Sequence, residues 1–127
     1  MKHPGRDERD QTDVDLEAIN VSSLYAMYCV FATAAPLPRD GALAEVEDAV
    51  AATGVTVRGF YDIGGFRADA DLMVWLLADD AAKLQAAYHA IRRSELGASL
   101  EPVWSNVGVH RPSEFNRTHV PSCFAGF

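Results

Sequence analysis

The chain has 127 residues, with 49% hydrophobic and 23% charged side chains and a formal net charge of -7 at pH 7. Those proportions fit one globular domain large enough to bury a core without staples, and the acidic balance disfavours non-specific binding to nucleic acid or anionic membranes, which need a basic surface. Two cysteines, Cys29 and Cys123, make no C-x-x-C pair and no zinc-spaced cluster with histidine, so no metal site is expected and a reduced, cytoplasmic setting is the default.

Residues 1–20 are polar, carry six acidic against three basic side chains and contain no apolar run like that of a secretory signal; a disordered acidic tail is expected there. From Leu24 to Phe31 both alternating sets are apolar or small: Leu24, Ala26, Tyr28 and Val30 against Tyr25, Met27, Cys29 and Phe31. This pattern predicts a strand buried on two sides. The apolar stretch, extended to Ala32, is far shorter than the roughly 20 residues of a membrane-crossing helix. Pro36 and Pro38 then end it, because neither can donate to a ladder.

Asp40 is the expected N-cap of a helix reaching about Thr53, with Leu43, Val46, Ala49 and Val50 facing inward and Gly54 ending it. From Val55 to Ile63, Val55, Val57, Tyr61 and Ile63 alternate with Thr56, Arg58, Phe60 and Asp62, a strand with one greasier face. The run Asp71 to Leu77 is apolar on both faces, and Gly64-Gly65 between the two runs predicts a long-looped antiparallel hairpin. A second helix is expected from Asp79 or Asp80, with Leu84, Ala87, Tyr88 and Ile91 at helical spacing and Arg92 and Arg93 in the last turn. A short extra turn follows between Ser94 and Leu100, then a strand from Glu101 to His110.

The order strand, helix, strand, strand, helix, strand predicts an α+β, ferredoxin-like domain over residues 21–111, with both helices on one side of a four-stranded antiparallel sheet. Two of its strands are apolar on both sides, so a second sheet is expected on the helix-free face, from another copy or from further chain. That would make the domain half of a dimeric α+β barrel and the protein a homo-oligomer through this face.

From His110 to Pro121 the charge balance reverses: Arg111, Arg117, His110 and His119 face only Glu114. Such a patch suits a small carboxylate, which arginine grips in bidentate fashion, although a solvated loop carries the same residues. His119 is a candidate general base because imidazole titrates near neutral pH. His3 in the tail and His89 on a helix read as solvated, Asn116-Arg117-Thr118 has no secretory signal to give its glycosylation pattern meaning, and Gly64-Gly65 lacks the lysine and following helix of a phosphate loop.

Arg58-Gly59-Phe60-Tyr61-Asp62, the run from Phe66 to Leu76, Glu95-Leu96-Gly97, the run from Glu101 to Asn116, and His119-Val120-Pro121 together resemble the chlorite dismutase-like family. Within it, the actinobacterial coproheme decarboxylases match best, over about residues 20–126. The resemblance implies a subunit of two ferredoxin-like repeats closing one barrel, usually in a pentamer. It also implies iron coproporphyrin as substrate and cofactor together, hydrogen peroxide as oxidant, a tyrosyl radical that attacks a propionate, and haem b as product. His119 falls in the motif that carries the distal histidine, which implies that it deprotonates peroxide. Arg111, Asn116 and Arg117 as partners of the porphyrin carboxylates are an expectation from charge alone.

The family's radical-forming tyrosine and iron-ligating histidine belong to the second repeat. The chain ends at Phe127, so residues 112–127 are expected to be a linker and the chain to be catalytic only when a second repeat joins it. Two other readings stay open: a non-catalytic barrel scaffold, and a small cofactor-free oxygenase of the dimeric α+β barrel type.

Overall fold

A computed structural model of the chain describes residues 23–111. The tail expected at residues 1–20 and the linker expected at 112–127 lie outside the described residues. Leu24–Val109 makes one compact unit, with β1 (Leu24–Thr33), α1 (Ala42–Ala51), β2 (Thr56–Asp62), β3 (Leu72–Ala78), α2 (Ala81–Arg93), a 3-10 turn at Gly97–Ser99, and β4 (Leu100–His110), whose last residue lies beyond that unit. The sheet order is β2-β3-β1-β4, and β3 pairs antiparallel with both β1 and β2. The expected α+β, ferredoxin-like βαββαβ architecture is therefore the observed one.

The core explains why both helices share one face. Met27, Cys29 and Phe31 of β1 and Val74, Leu76 and Ala78 of β3 pack against Val46 and Val50 of α1 and Leu84, Ala87 and Ile91 of α2. Val46, Val50, Val74, Leu76, Leu84 and Ile91 are fully buried, and each such side chain contributes roughly 1.5–3 kcal/mol by leaving water. α2 starts as its sequence predicts: the Asp80 carboxylate accepts from the Ala82 amide at 2.9 Å, while Asp79 pairs with Lys83 one turn on.

α1 departs from expectation. Its N-cap is Gly41, at φ 95°, and no side chain caps it; the chain enters the helix through a left-handed residue that glycine adopts at no steric cost. Starting at Ala42 sets the buried stripe to Ala42, Val46 and Val50. These are one turn apart, so Leu43 and Ala49 fall beside the stripe and are exposed, Leu43 at 46%. Gly54 follows the helix end at φ 90°, as its position suggests.

β2 departs as well. A bulge between Val57 and Gly59 shifts the register, so that Val57 faces Leu76, Gly59 faces Trp75, Phe60 faces Val74 and Tyr61 faces Met73. The inserted residue exchanges the faces downstream of it. Phe60 packs against the helix-side core with Val57, and Tyr61 joins the other face, where it is 37% exposed.

Two polar side chains tie the strand ends. The Thr33 amide donates to Asp71 Oδ2 at 2.8 Å and the Asp71 amide donates to the Phe31 carbonyl at 2.8 Å, locking the end of β1 to the start of β3. Buried Ser99 donates to the Pro36 carbonyl at 2.8 Å, while its own carbonyl accepts from the Ala34 amide. The proline-bearing segment after β1 is held by this pair.

Candidate functional site

Among the described residues no element covers the sheet on the side away from α1 and α2. Leu24, Ala26, Tyr28 and Val30 of β1 and Met73, Trp75 and Leu77 of β3 point there, and all are buried or half-buried. The double-sided apolar pattern read from the sequence is thus realised. Its centre is an aromatic stack: β1 and β3 place Tyr28 opposite Trp75, with ring centroids 5.5 Å apart and planes within 19°.

Arg58 lays its guanidinium 4.9 Å from the centroid of the Trp75 ring, an attraction between a cation and the negative face of the indole. The β2 bulge makes this arrangement possible, since it sets Gly59, without a side chain, directly opposite Trp75. The Tyr61 ring lies over that glycine: a Cβ there would stand 2.6 Å from its Cζ. The Trp75 indole N–H is buried and has no hydrogen-bond acceptor, a state that costs roughly 1–3 kcal/mol in a folded protein. The sequence marks Trp75 as apolar strand filling; only the bulge reveals that Arg58, Trp75 and Tyr28 meet.

Of the residues expected to carry the chemistry, one lies among the described residues. Arg111 follows β4 directly and is exposed. His119, Asn116 and Arg117 lie outside the described residues, so Arg111 is the one member of that set whose surroundings the structure describes.

An iron porphyrin needs an axial ligand and cations for its carboxylates. Between Leu24 and Val109 the helix-free sheet face offers aromatic rings and one guanidinium, but neither an imidazole nor a thiol. Among the described residues no group of three or more His, Cys, Asp or Glu is placed to hold a metal ion. Cys29 points into the helix-side core, where burial pushes its thiol up to about 11. What the described sheet face offers such a ligand is apolar and aromatic surface with one cation beside it.

Cys29 gives a direct check of this packing. With its thiol raised from 9.0 to about 11, roughly a hundredfold less thiolate is present at pH 8 than in an unfolded chain, and only the thiolate reacts. In a Cys123→Ser background, native protein should be nearly inert to a disulfide reagent and react fully in denaturant; fast native reaction would contradict the packing. Because the folded thiol titrates later than the unfolded one, its stabilising contribution is complete below about pH 9 and is lost as pH rises to about 11.

The fold and its doubly apolar sheet define an α+β, ferredoxin-like repeat, and solved structures agree on the fold. The structure of a chlorite dismutase variant from Candidatus Nitrospira defluvii superposes with a TM-score of 0.61 at 24% identity, covering 76% of this chain and 44% of that one. Another variant from the same organism, in complex with cyanide, gives 0.62 over the same shares. The model of the family described as chlorite dismutase matches residues 39–126, and the chain belongs to the chlorite dismutase family. A coproheme decarboxylase from Mycolicibacterium smegmatis is 44% identical over 121 residues, covering 89% of this chain and 52% of that protein. The chain spans about half the length of this curated relative. No helix among the described residues is long and apolar enough to cross a membrane.

Proposed function

We propose that this chain is the first repeat of a coproheme decarboxylase: with a second repeat, it turns iron coproporphyrin III into haem b in a peroxide-dependent oxidative decarboxylation. The observation that carries the reading is the 44% identity to a coproheme decarboxylase across 89% of the chain. In this reading the second repeat supplies the iron ligand, whether on the same polypeptide or on another, and the helix-free face of the sheet packs against it. His119 acts as the base that takes the proton from hydrogen peroxide. Arg111, Asn116 and Arg117 bind the porphyrin carboxylates through charge-assisted hydrogen bonds. A reducing, cytoplasmic setting agrees with the free, buried thiol of Cys29.

The test is to give the purified chain iron coproporphyrin and hydrogen peroxide, alone and together with a polypeptide carrying the second repeat of a family member. The chain alone should leave the substrate almost unconverted, and the combination should form haem b. Efficient turnover by the chain alone, or none by the combination while the two bind each other, contradicts the reading. The alternative reading is a non-catalytic scaffold. It predicts no shift of the porphyrin Soret band with or without the added repeat.

A further inference from the structure

One end of the sheet holds an open groove that the porphyrin reading does not use. There β1 ends at Thr33, β2 ends at Asp62, β3 and β4 begin at Leu72 and Leu100, and α1 starts. The groove has a volume of about 480 Å³, within the range of small-molecule sites, and all its lining residues belong to the compact unit Leu24–Val109. Leu37, Leu43, Phe60, Leu72, Leu96 and Leu100 give it apolar walls.

Two of those leucines are held in water by the backbone. Left-handed Gly41 starts α1 at Ala42 and so turns Leu43 away from the buried stripe; Leu43 is 46% exposed. Leu37, 63% exposed, follows Pro36, whose carbonyl accepts from Ser99. A ligand with an apolar body would cover both.

The charges in the groove fix the sign of that ligand. The carboxylates of Asp62 and Asp71 both approach Gly64: a Cβ built there stands 3.1 Å from Asp62 Oδ1 and 3.8 Å from Asp71 Oδ1. Asp62 Oδ1 accepts from the Gly64 amide at 2.9 Å and Asp71 Oδ2 from the Thr33 amide at 2.8 Å, so backbone bonds hold both groups in place. Among the described residues neither forms an ion pair: Arg39, in the groove wall, is committed to Glu45 and Glu95, and Arg67, in the hairpin loop, to Asp69. Asp40 adds a third acid to the lining. Carboxylates so placed repel those of a porphyrin, so this groove is not the site of the reaction proposed above.

We propose that the groove binds a small organic cation, an ammonium or guanidinium group on an apolar body, with the positive group at Asp62 and Asp71 and the body against Leu37 and Leu43. The site is independent of the porphyrin reading, and no porphyrin enters its test.

Three probes with one body decide it: n-octylammonium, n-octanol and n-octanoate, each titrated into the full chain below its micelle-forming concentration and followed by leucine methyl resonances. The ammonium should bind about fivefold or more tightly than the alcohol, the scale of two exposed ion pairs, and the carboxylate more weakly than either. That preference should shrink as salt rises, and the Leu37 and Leu43 methyls should shift most. Asp62→Asn combined with Asp71→Asn keeps an oxygen for each backbone bond and should bring ammonium binding down to the level of the alcohol. Glu47→Gln combined with Asp48→Asn, an equal change of charge on exposed residues of α1 outside the groove, should not. Leu43→Ser should weaken ammonium and alcohol alike. Equal affinity for the three probes, equal loss in the two charge-altered variants, methyl shifts confined to other parts of the molecule, or no binding of the ammonium would each overturn the proposal.

Discussion

Gly97→Ala is expected to lower stability by about 3 kcal/mol, a large share of the roughly 5–15 kcal/mol that holds a domain folded. A Cβ at Gly97 would stand 1.9 Å from the carbonyl oxygen of Ile91 and 2.9 Å from its carbonyl carbon. Both are backbone atoms in the last turn of α2, and the Ile91 side chain is fully buried. The same carbonyl accepts from the Ser94 amide at 3.2 Å and from the Ser94 hydroxyl at 2.6 Å, while the Gly97 amide donates to Ser94 Oγ at 2.9 Å.

Relieving the clash means undoing that knot or shifting α2 off the sheet. Gly59→Ala is the informative comparison, because its Cβ meets the far end of the Tyr61 side chain, which can swing away; less than half the loss is expected there. Urea denaturation of both variants decides the matter, and equal losses would show that close approach of backbone is not what Gly97 provides. The glycine of Glu95-Leu96-Gly97, one of the runs on which the family resemblance rests, thus has a packing reason.

The second large effect concerns chemistry. In an assembly that contains the second repeat, His119→Ala should slow peroxide-dependent decarboxylation by about 10²- to 10⁴-fold, the usual consequence of removing a positioned acid–base group. If the imidazole takes the peroxide proton, the rate of the unaltered enzyme rises with pH as that imidazole loses its own proton, and the variant loses that rise. Porphyrin binding, read from the Soret band, should be nearly unchanged. An unaltered rate, or a slower rate with its pH dependence intact, removes His119 from proton transfer.

Element order was legible because it rests on period and punctuation: β1 and β3 announce themselves by being apolar on both sides, and Gly54, the prolines after β1 and Asp80 mark ends by local backbone chemistry. Faces were less legible wherever one residue could shift the count. At β2 strict alternation groups Tyr61 with Val57, but the bulge at Gly59 sends Phe60 inward and Tyr61 outward. At α1 the left-handed Gly41 displaces Asp40 as cap, which moves the buried stripe off Leu43. The stack of Arg58 on Trp75 depends on that same bulge, so no motif could have announced it. Of the residues expected to touch substrate, Arg111 alone falls among the described ones, and the other three rest on motif and charge.

The bulge in β2 also limits what the molecule can build. A layer open on both sides recruits neighbours without end, which is how strand addition leads to fibres. Here the kink in β2 blunts one border, because the register shift between Val57 and Gly59 interrupts the ladder that a further strand would have to match.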